Sequence, residues 1–482
     1  MNGPPALPLI GHLYIMVKFT TTEAIFHNLR TIGDKYPSPI CIHVGPLVHV
    51  FLFNPEELQI MLNSPNCLNK SLHYSFLRVD LGVFASPGHI WKGQRKLLNL
   101  SLGPAILNSS ITMFNEKSAI LVNQFEKYAD GIEHNIYRDI AKCALDIIYY
   151  TALGLDFDMQ RTDAGDYYLN LQDEFMDLIA KRMFSPSLYP EFIYQMTKSY
   201  KREQEMINEA RQLTDRIMQE RKVNERLSTE QFSNESVKTD IGRKKPMNFL
   251  DSLSKLAQYN EDLTREAILQ QVDTIIFAGS DTTATTVSTF LLMLAIHPDV
   301  QEQVYQEVMQ VCPDKTQSVT LEDISKLTYT EMACKETMRL FPAAPIIARV
   351  SNEDIKLDDR NTIPANSMII GAIYQVQRDP KIWGPNAHLF NPDNFLPENA
   401  ALRHPYAFIP FSAGIRNCMG TRYAWLVMKV VIVYLIRKYR FKTSLDMNSL
   451  NFKYSIIMKI TNGCLVSLEK RDESVVGECG MK

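Results

Sequence analysis

The chain has 482 residues, a formal net charge of −3 and a hydrophobic fraction of 45%. That length buries a large core and still encloses a cofactor, while the near-neutral balance excludes nucleic acid as the expected partner. Eight cysteines stand apart at positions 41, 67, 143, 312, 334, 418, 464 and 479, with no Cys-x-x-Cys pair and no zinc-ligand spacing, which excludes a zinc module and a disulfide framework and points to reduced thiols on the cytosolic side.

No run of about 18 apolar residues predicts a membrane span, and no linker or repeat divides the chain. Residues 1–12 contain Pro4, Pro5 and Pro8 and read as a stiff, extended hinge. Residues 39–53 predict two strands turning at Gly45-Pro46. Residues 70–88 lack a period and contain Phe76, Val83 and Phe84. They read as a substrate-facing loop or as a surface loop with its own small cluster. Trp91 and Arg95 are four apart, so they share a helix face and can donate together to one carboxylate. From Asn115 to Lys222 the pattern is helical, interrupted at 184–193 by Pro186 and Pro190 amid aromatics. Residues 224–248 are polar and basic and read as a solvent loop.

A long helix is predicted from about Thr264 to Ile296, stopping before His297-Pro298. Its apolar centre holds Phe277, Ala278, Gly279, Ser280, Asp281 and Thr282. An acid and hydroxyls are costly in a buried helix unless they have a task. A threonine hydroxyl there bonds the carbonyl one turn back and opens the helix locally. Glu336 and Arg339 share a helix face at i,i+3. Beyond Pro342 come Ala344, Ile346, Ile347, Ala348 and Arg349. Residues 456–465 predict a hairpin turning at Asn462-Gly463, with Ile456 and Ile457 near a pocket. Residues 471–482 form a tail.

The loop Phe411–Gly420 organises the rest. Cys418 opens the apolar helix predicted over Thr421–Tyr439, where free N–H groups and the helix dipole stabilise a thiolate. Gly414 and Gly420 allow a tight turn and close approach of a flat ligand. Arg416 offers a planar fork to a carboxylate.

Phe-x-x-Gly-x-Arg-x-Cys-x-Gly resembles the haem-binding loop of the cytochromes P450. Four further stretches resemble family motifs: Gly3–Gly11 as the hinge after a membrane anchor, Trp91–Arg95, Ala278–Thr283 and Glu336–Arg339. The resemblance implies a mainly α fold with small β-sheets, one domain over residues 13–470, enclosing haem b. It implies Cys418 as the axial metal ligand. Trp91, Arg95, Arg349 and Arg416 then hold propionates, and Ala278, Gly279, Phe411, Gly414 and Gly420 border the haem. Asp281 and Thr282 deliver protons for oxygen activation. Phe76, Val83, Phe84, Phe277, Ile346, Ile347 and Ile456 are the expected substrate lining. Residues 184–193 cap the site and touch the membrane. Electrons come from NADPH through NADPH-cytochrome P450 reductase, with cytochrome b5 as a second donor. Lys92, Lys96 and Lys429 are candidates for a basic docking face, or plain solvated surface. The expected location is the cytosolic face of the endoplasmic reticulum membrane.

Phe390–Glu398 is similar to the branch containing fatty-acid hydroxylases and many insect members. Two departures matter. Ala278 stands where many of that branch have a glutamate that esterifies the haem, so non-covalent haem is expected. Asn394 stands where an arginine usually completes the brace with Glu336 and Arg339. Three rivals to a monooxygenase are a reductase-independent hydroperoxide isomerase or dehydratase of the same fold, a non-enzymatic haem protein, and a cofactor-free α-rich interaction protein.

Overall fold

The computed structural model describes residues 1–212, 214–215, 219, 248–257 and 263–471. The basic loop expected over 224–248, the end of the helical stretch before Lys222 and the tail expected over 471–482 lie largely outside them.

Helices dominate, and α7 (Arg265–Ile296) is the axis. Thr264 caps it by accepting the Ala267 N–H at 3.2 Å. Pro298 ends it by turning His297 out of helical geometry. It is buried around most of its circumference. Several of its hydroxyls offset desolvation by bonding one turn back, Ser280 to Ile276 O at 2.7 Å and Thr286 to Thr282 O at 2.8 Å, whereas those of Thr285 and Ser288 are buried with no partner among the described residues. Against it pack α5 (Tyr137–Ile148), α8 (Thr328–Leu340) and α9 (Thr421–Lys438), and α4 (Ile111–Gln124) packs on α5 and α9. Phe114, Leu145, Phe290, Val433 and Leu435 fill the space between them. Further out lie α1 (Thr22–Lys35), α2 (Pro55–Asn63), α3 (Gly88–Ser101) and α6 (Asp163–Met183).

The expected first hairpin is present. β1 (Ile40–Val44) and β2 (Leu47–Leu52) pair antiparallel across Gly45, whose φ of +58° suits glycine. β2 then pairs parallel with β7 (Met368–Gly371), and β7 antiparallel with β4 (Ile347–Val350). β5 (Ile355–Lys356) and β6 (Thr362–Ile363) form a small ribbon. A third sheet has the order β3 (His134–Asn135), β11 (Leu465–Lys470), β8 (Tyr439–Lys442).

Two expectations need correction here. The hairpin near the C-terminus turns at Ile456, φ +64°, between β9 (Phe452–Ser455) and β10 (Ile457–Ile460). Asn462-Gly463 instead joins β10 to β11 in another sheet. Asn462 Oδ1 accepts the Asn451 N–H at 3.1 Å and closes the open end of the β9–β10 ribbon. The N-terminal prolines are also not extended throughout. The segment turns between Leu7 and Gly11 and adds to the β1 edge through Cys41 N to Asn2 O at 2.8 Å and His12 N to His43 O at 2.7 Å. No described helix is long and apolar enough to cross a membrane.

Candidate active site

A cavity of about 360 Å³ lies between α7 and the Cys418 loop. The loop reaches it by a tight return: Cys418 N donates to Phe411 O at 2.9 Å, and Ile415 N to Leu62 O at 3.1 Å. Gly414 sits at φ +69°, and a β-carbon on it would meet Leu62 O at 2.1 Å. The close approach at Gly414 is therefore to α2, not to a ligand. A Gly414→Ala variant is expected to lose about 1–2 kcal/mol from the left-handed backbone alone, more from the clash, with a lower melting temperature and haem content. Gly420, by contrast, has an ordinary φ of −86° as the cap of α9, and a β-carbon there would meet Cys418 Sγ at a comfortable 3.8 Å.

Cys418 is exposed on the cavity side. Burial by the surrounding protein pushes its thiol up, against the Gly420 N–H, the Thr421 hydroxyl and the Arg95 guanidinium. This corrects the expectation that the helix start alone favours thiolate: desolvation outweighs those donors. A coordinated metal ion is what deprotonates such a thiol outright.

The cavity also collects cations. Arg95 and Trp91 both line it from α3, and Arg95 is fixed by Asn417 O at 2.8 Å and Asn417 Oδ1 at 2.9 Å. Arg416 donates to the carbonyls of Leu68 (2.7 Å), Ser86 (3.0 Å) and Val83 (3.2 Å), with its guanidinium 4.9 Å from the Trp91 ring centre. Arg349 is buried and donates to Ala348 O at 2.9 Å. Sequence reasoning missed Lys70, which lines the same wall with its ammonium 4.3 Å from the Tyr74 ring centre. Burial, then Arg349 and Arg416, hold Lys70 well below its ordinary range. Burial, then Arg349, brings Arg416 down to about 9. Among the described residues none of these four cations has a carboxylate partner. A dicarboxylate ligand relieves that repulsion, so the residues present fit haem with its two propionates beside a free thiol.

On the opposite wall Ala278, Gly279 and Thr282 line the cavity. The Thr282 hydroxyl donates to Ala278 O at 2.7 Å. Gly279 also lets α5 pack closely, since a β-carbon would meet the Ile148 Cδ1 methyl at 2.8 Å and make that side chain shift. Asp281 lies behind this wall and is buried. One carboxylate oxygen, Oδ1, takes the Tyr137 hydroxyl and the Lys459 ammonium, the latter at 3.1 Å, while Oδ2 is buried with no partner among the described residues. Lys459 also pairs with Asp173 at 2.6 Å. Burial alone would lower Lys459, but Asp281, Tyr137 and Asp173 hold it well above its ordinary range.

The brace is closed. Glu336 and Arg339 are both fully buried and bidentate at 2.7 Å. Arg339 also donates to the carbonyls of Gln377, Ala387 and Leu389. Asn394 Nδ2 donates to Glu336 Oε1 at 3.1 Å, joined by the Asn391 N–H at 2.9 Å. The missing charge comes from Arg403, a second residue sequence reasoning missed. It donates to Asn394 O and sits 4.3 Å from the centre of the Trp383 ring, with Arg339 4.8 Å from the same centre.

Of the expected lining, Val83, Phe84, Phe277, Ile346, Ile347 and Ile456 are on the wall, and Ile457 joins them. Phe76 is not. It is buried behind, under the Arg182 guanidinium and beside Tyr189, because residues Leu72–Leu77 wind as a 3₁₀ helix that turns it away. Lys92 and Lys96 are exposed on α3. Lys429 is not available for docking: it is buried on the inner face of α9, bonded to Glu331 at 2.7 Å and Ile324 O at 3.1 Å.

Comparison with known proteins agrees with this geometry. The family model described as Cytochrome P450 matches residues 1–466. The chain is 34% identical to "Cytochrome P450 4c21" of Blattella germanica over 94% of this chain and 90% of that one. It is 32% identical to "Cytochrome P450 4c3" of Drosophila melanogaster over 98% and 89%, and 31% identical to "Cytochrome P450 4V2" of Homo sapiens over 97% and 89%. A free thiol facing a cation-rich cavity, across from a threonine-notched helix, and a family match over nearly the whole length lead to one statement: the chain belongs to the cytochrome P450 family, haem-thiolate monooxygenases that draw electrons from NADPH through a reductase and act on hydrophobic substrates.

Proposed function

We propose that Cys418 is the axial ligand, that Arg95, Arg349, Arg416 and Lys70 with Trp91 hold the propionates, and that Asp281 and Thr282 handle the protons of the reaction. The carrying observation is that the thiol, the cations and Thr282 wall one cavity. When bound, haem supplies oxygen activation with electron donation from the thiolate. Ala278 has only a methyl group to offer, so the haem is held without an ester bond. Thr282, by bonding Ala278 O, leaves its hydroxyl oxygen as an acceptor toward the cavity. Asp281 is anchored on one oxygen and has the other free to hold or pass a proton. The file Asp173–Lys459–Asp281 runs from the surface to this point.

An Asp281→Asn variant is expected to lose about 10²-fold in kcat while keeping its reduced carbon monoxide spectrum. An unchanged kcat sinks the assignment. Turnover supported by NADPH and reductase favours the monooxygenase over the isomerase rival, which would turn over hydroperoxide with neither.

The electron donor is the NADPH-cytochrome P450 reductase, with cytochrome b5 as a second donor. Lys92 and Lys96 lie exposed on the helix whose Arg95 grips the Cys418 loop, a basic face for an acidic partner. The location is the endoplasmic reticulum membrane. Leu9, Val17, Phe192 and Met196 are exposed, and Phe19 lies 5.3 Å from Phe184 between ring centres, bringing the two apolar segments together at one lipid-facing edge.

A further inference from the structure

A second cavity of about 120 Å³ lies beside the first, between α6, the residues Met206, Ala210 and Thr214, and α7. Leu77, Phe84, Thr274 and Phe277 line both and form the partition. The inner chamber is apolar except for a small polar set on its far side. Gln172 of α6 is 7% exposed, and its amide oxygen and nitrogen are both buried without a partner among the described residues. Leaving such groups unpaired costs about 1–3 kcal/mol each, so the chamber is built for something that both donates and accepts. Asp273 of α7 lines it too, accepting the Thr214 hydroxyl at 3.1 Å. Burial pushes its carboxyl up to about 6, leaving it mostly charged at neutral pH.

The two cations on this chamber are already engaged. Arg78 pairs with Glu203 at 2.6 Å and Glu191 at 2.7 Å, and Arg211 with Glu266 at 2.5 Å. A ligand carboxylate entering here would meet Asp273 and find no unpaired cation among the described residues. A terminal hydroxyl or primary amide would instead donate to Gln172 Oε1 and accept from Nε2.

We propose that this chamber selects an elongated apolar substrate ending in a neutral donor–acceptor group, hydroxyl or primary amide, which Gln172 holds while the hydrocarbon passes between Phe84 and Phe277 into the cavity walled by Thr282 and Cys418. The proposal rests on the monooxygenase site described above and names its substrate class. It runs against a free fatty acid as the preferred ligand.

The test is equilibrium dialysis of the haem-loaded protein with labelled decanol, decanamide, decyl methyl ether and decanoate. Decanol or decanamide is expected to bind about tenfold more tightly than the ether or the acid, the worth of one good hydrogen bond. Gln172→Leu, close in volume, should erase that margin, with the reduced carbon monoxide band intact as proof of folding. A preference for decanoate, or a margin that survives in Gln172→Leu because water alone satisfies the amide, overturns the proposal. Loss of the carbon monoxide band in the wild type would instead overturn the haem-thiolate reading, so the two failures are separable.

Discussion

Cys418→Ser is expected to abolish the long-wavelength Soret band of the reduced, carbon monoxide-treated protein and to bring turnover below detection. Sulfur is the only change. The loop is held by main-chain bonds, Cys418 N to Phe411 O and Ile415 N to Leu62 O, and by Arg416 to three carbonyls, none of which uses the thiol. The variant should therefore fold, and the cation cluster should still bind haem, giving a shorter-wavelength band. Serine oxygen donates far less electron density than thiolate, so the chemistry that depends on that donation stops. A variant that keeps the long-wavelength band would mean another ligand. The described cysteines offer none on that wall, since Cys41 is half-buried and Cys67, Cys143, Cys312, Cys334 and Cys464 are buried, all six away from the cavity lining.

The second large effect is on folding. Arg339→Ala leaves the Glu336 carboxylate unpaired at zero exposure and strips donors from the Gln377, Ala387 and Leu389 carbonyls. Breaking a buried pair from one side costs about 3–5 kcal/mol, a large share of the roughly 5–15 kcal/mol that holds a domain together. Expression should yield little haem-bearing protein, read as Soret absorbance per milligram and as a lowered melting temperature. Glu336→Gln, which keeps acceptor and shape, should be milder. A wild-type melting temperature for Arg339→Ala would remove the brace from the account.

What the sequence disclosed was local. The Cys418 loop, the Thr264 cap and Pro298 stop of α7, and the Glu336–Arg339 pair all write their geometry within a few residues, where backbone rules act. What stayed hidden depended on distant partners. Lys70 reads as a polar loop residue until Arg349 and Arg416 come alongside. Lys459 reads as an ordinary strand lysine, yet it holds Asp281. Asn394 reads as a gap in the brace, which Arg403 fills from nine residues on. Lys429 and Phe76 were misjudged for the same reason: the side of a helix that faces inward is settled by neighbours the local pattern does not contain. Asn462-Gly463 failed differently. Its chemistry is right for a turn, but the strands it connects find better partners elsewhere.

The parallel pairing of β2 with β7 has a consequence for how the protein is made. The strand Leu47–Leu52 waits for Met368–Gly371, more than three hundred residues later, and Arg416 must find the Leu68 carbonyl 348 positions upstream. The first contact cannot form before Gly371 has left the ribosome, nor the second before Arg416 has. Until then the strand edge of β2 and the apolar walls of the future cavity are without their covers, a state prone to aggregation. Cofactor capture thus waits for Cys418 and Arg416 to emerge, and nascent chains arrested before Cys418 emerges should depend on chaperones and accumulate no pigment.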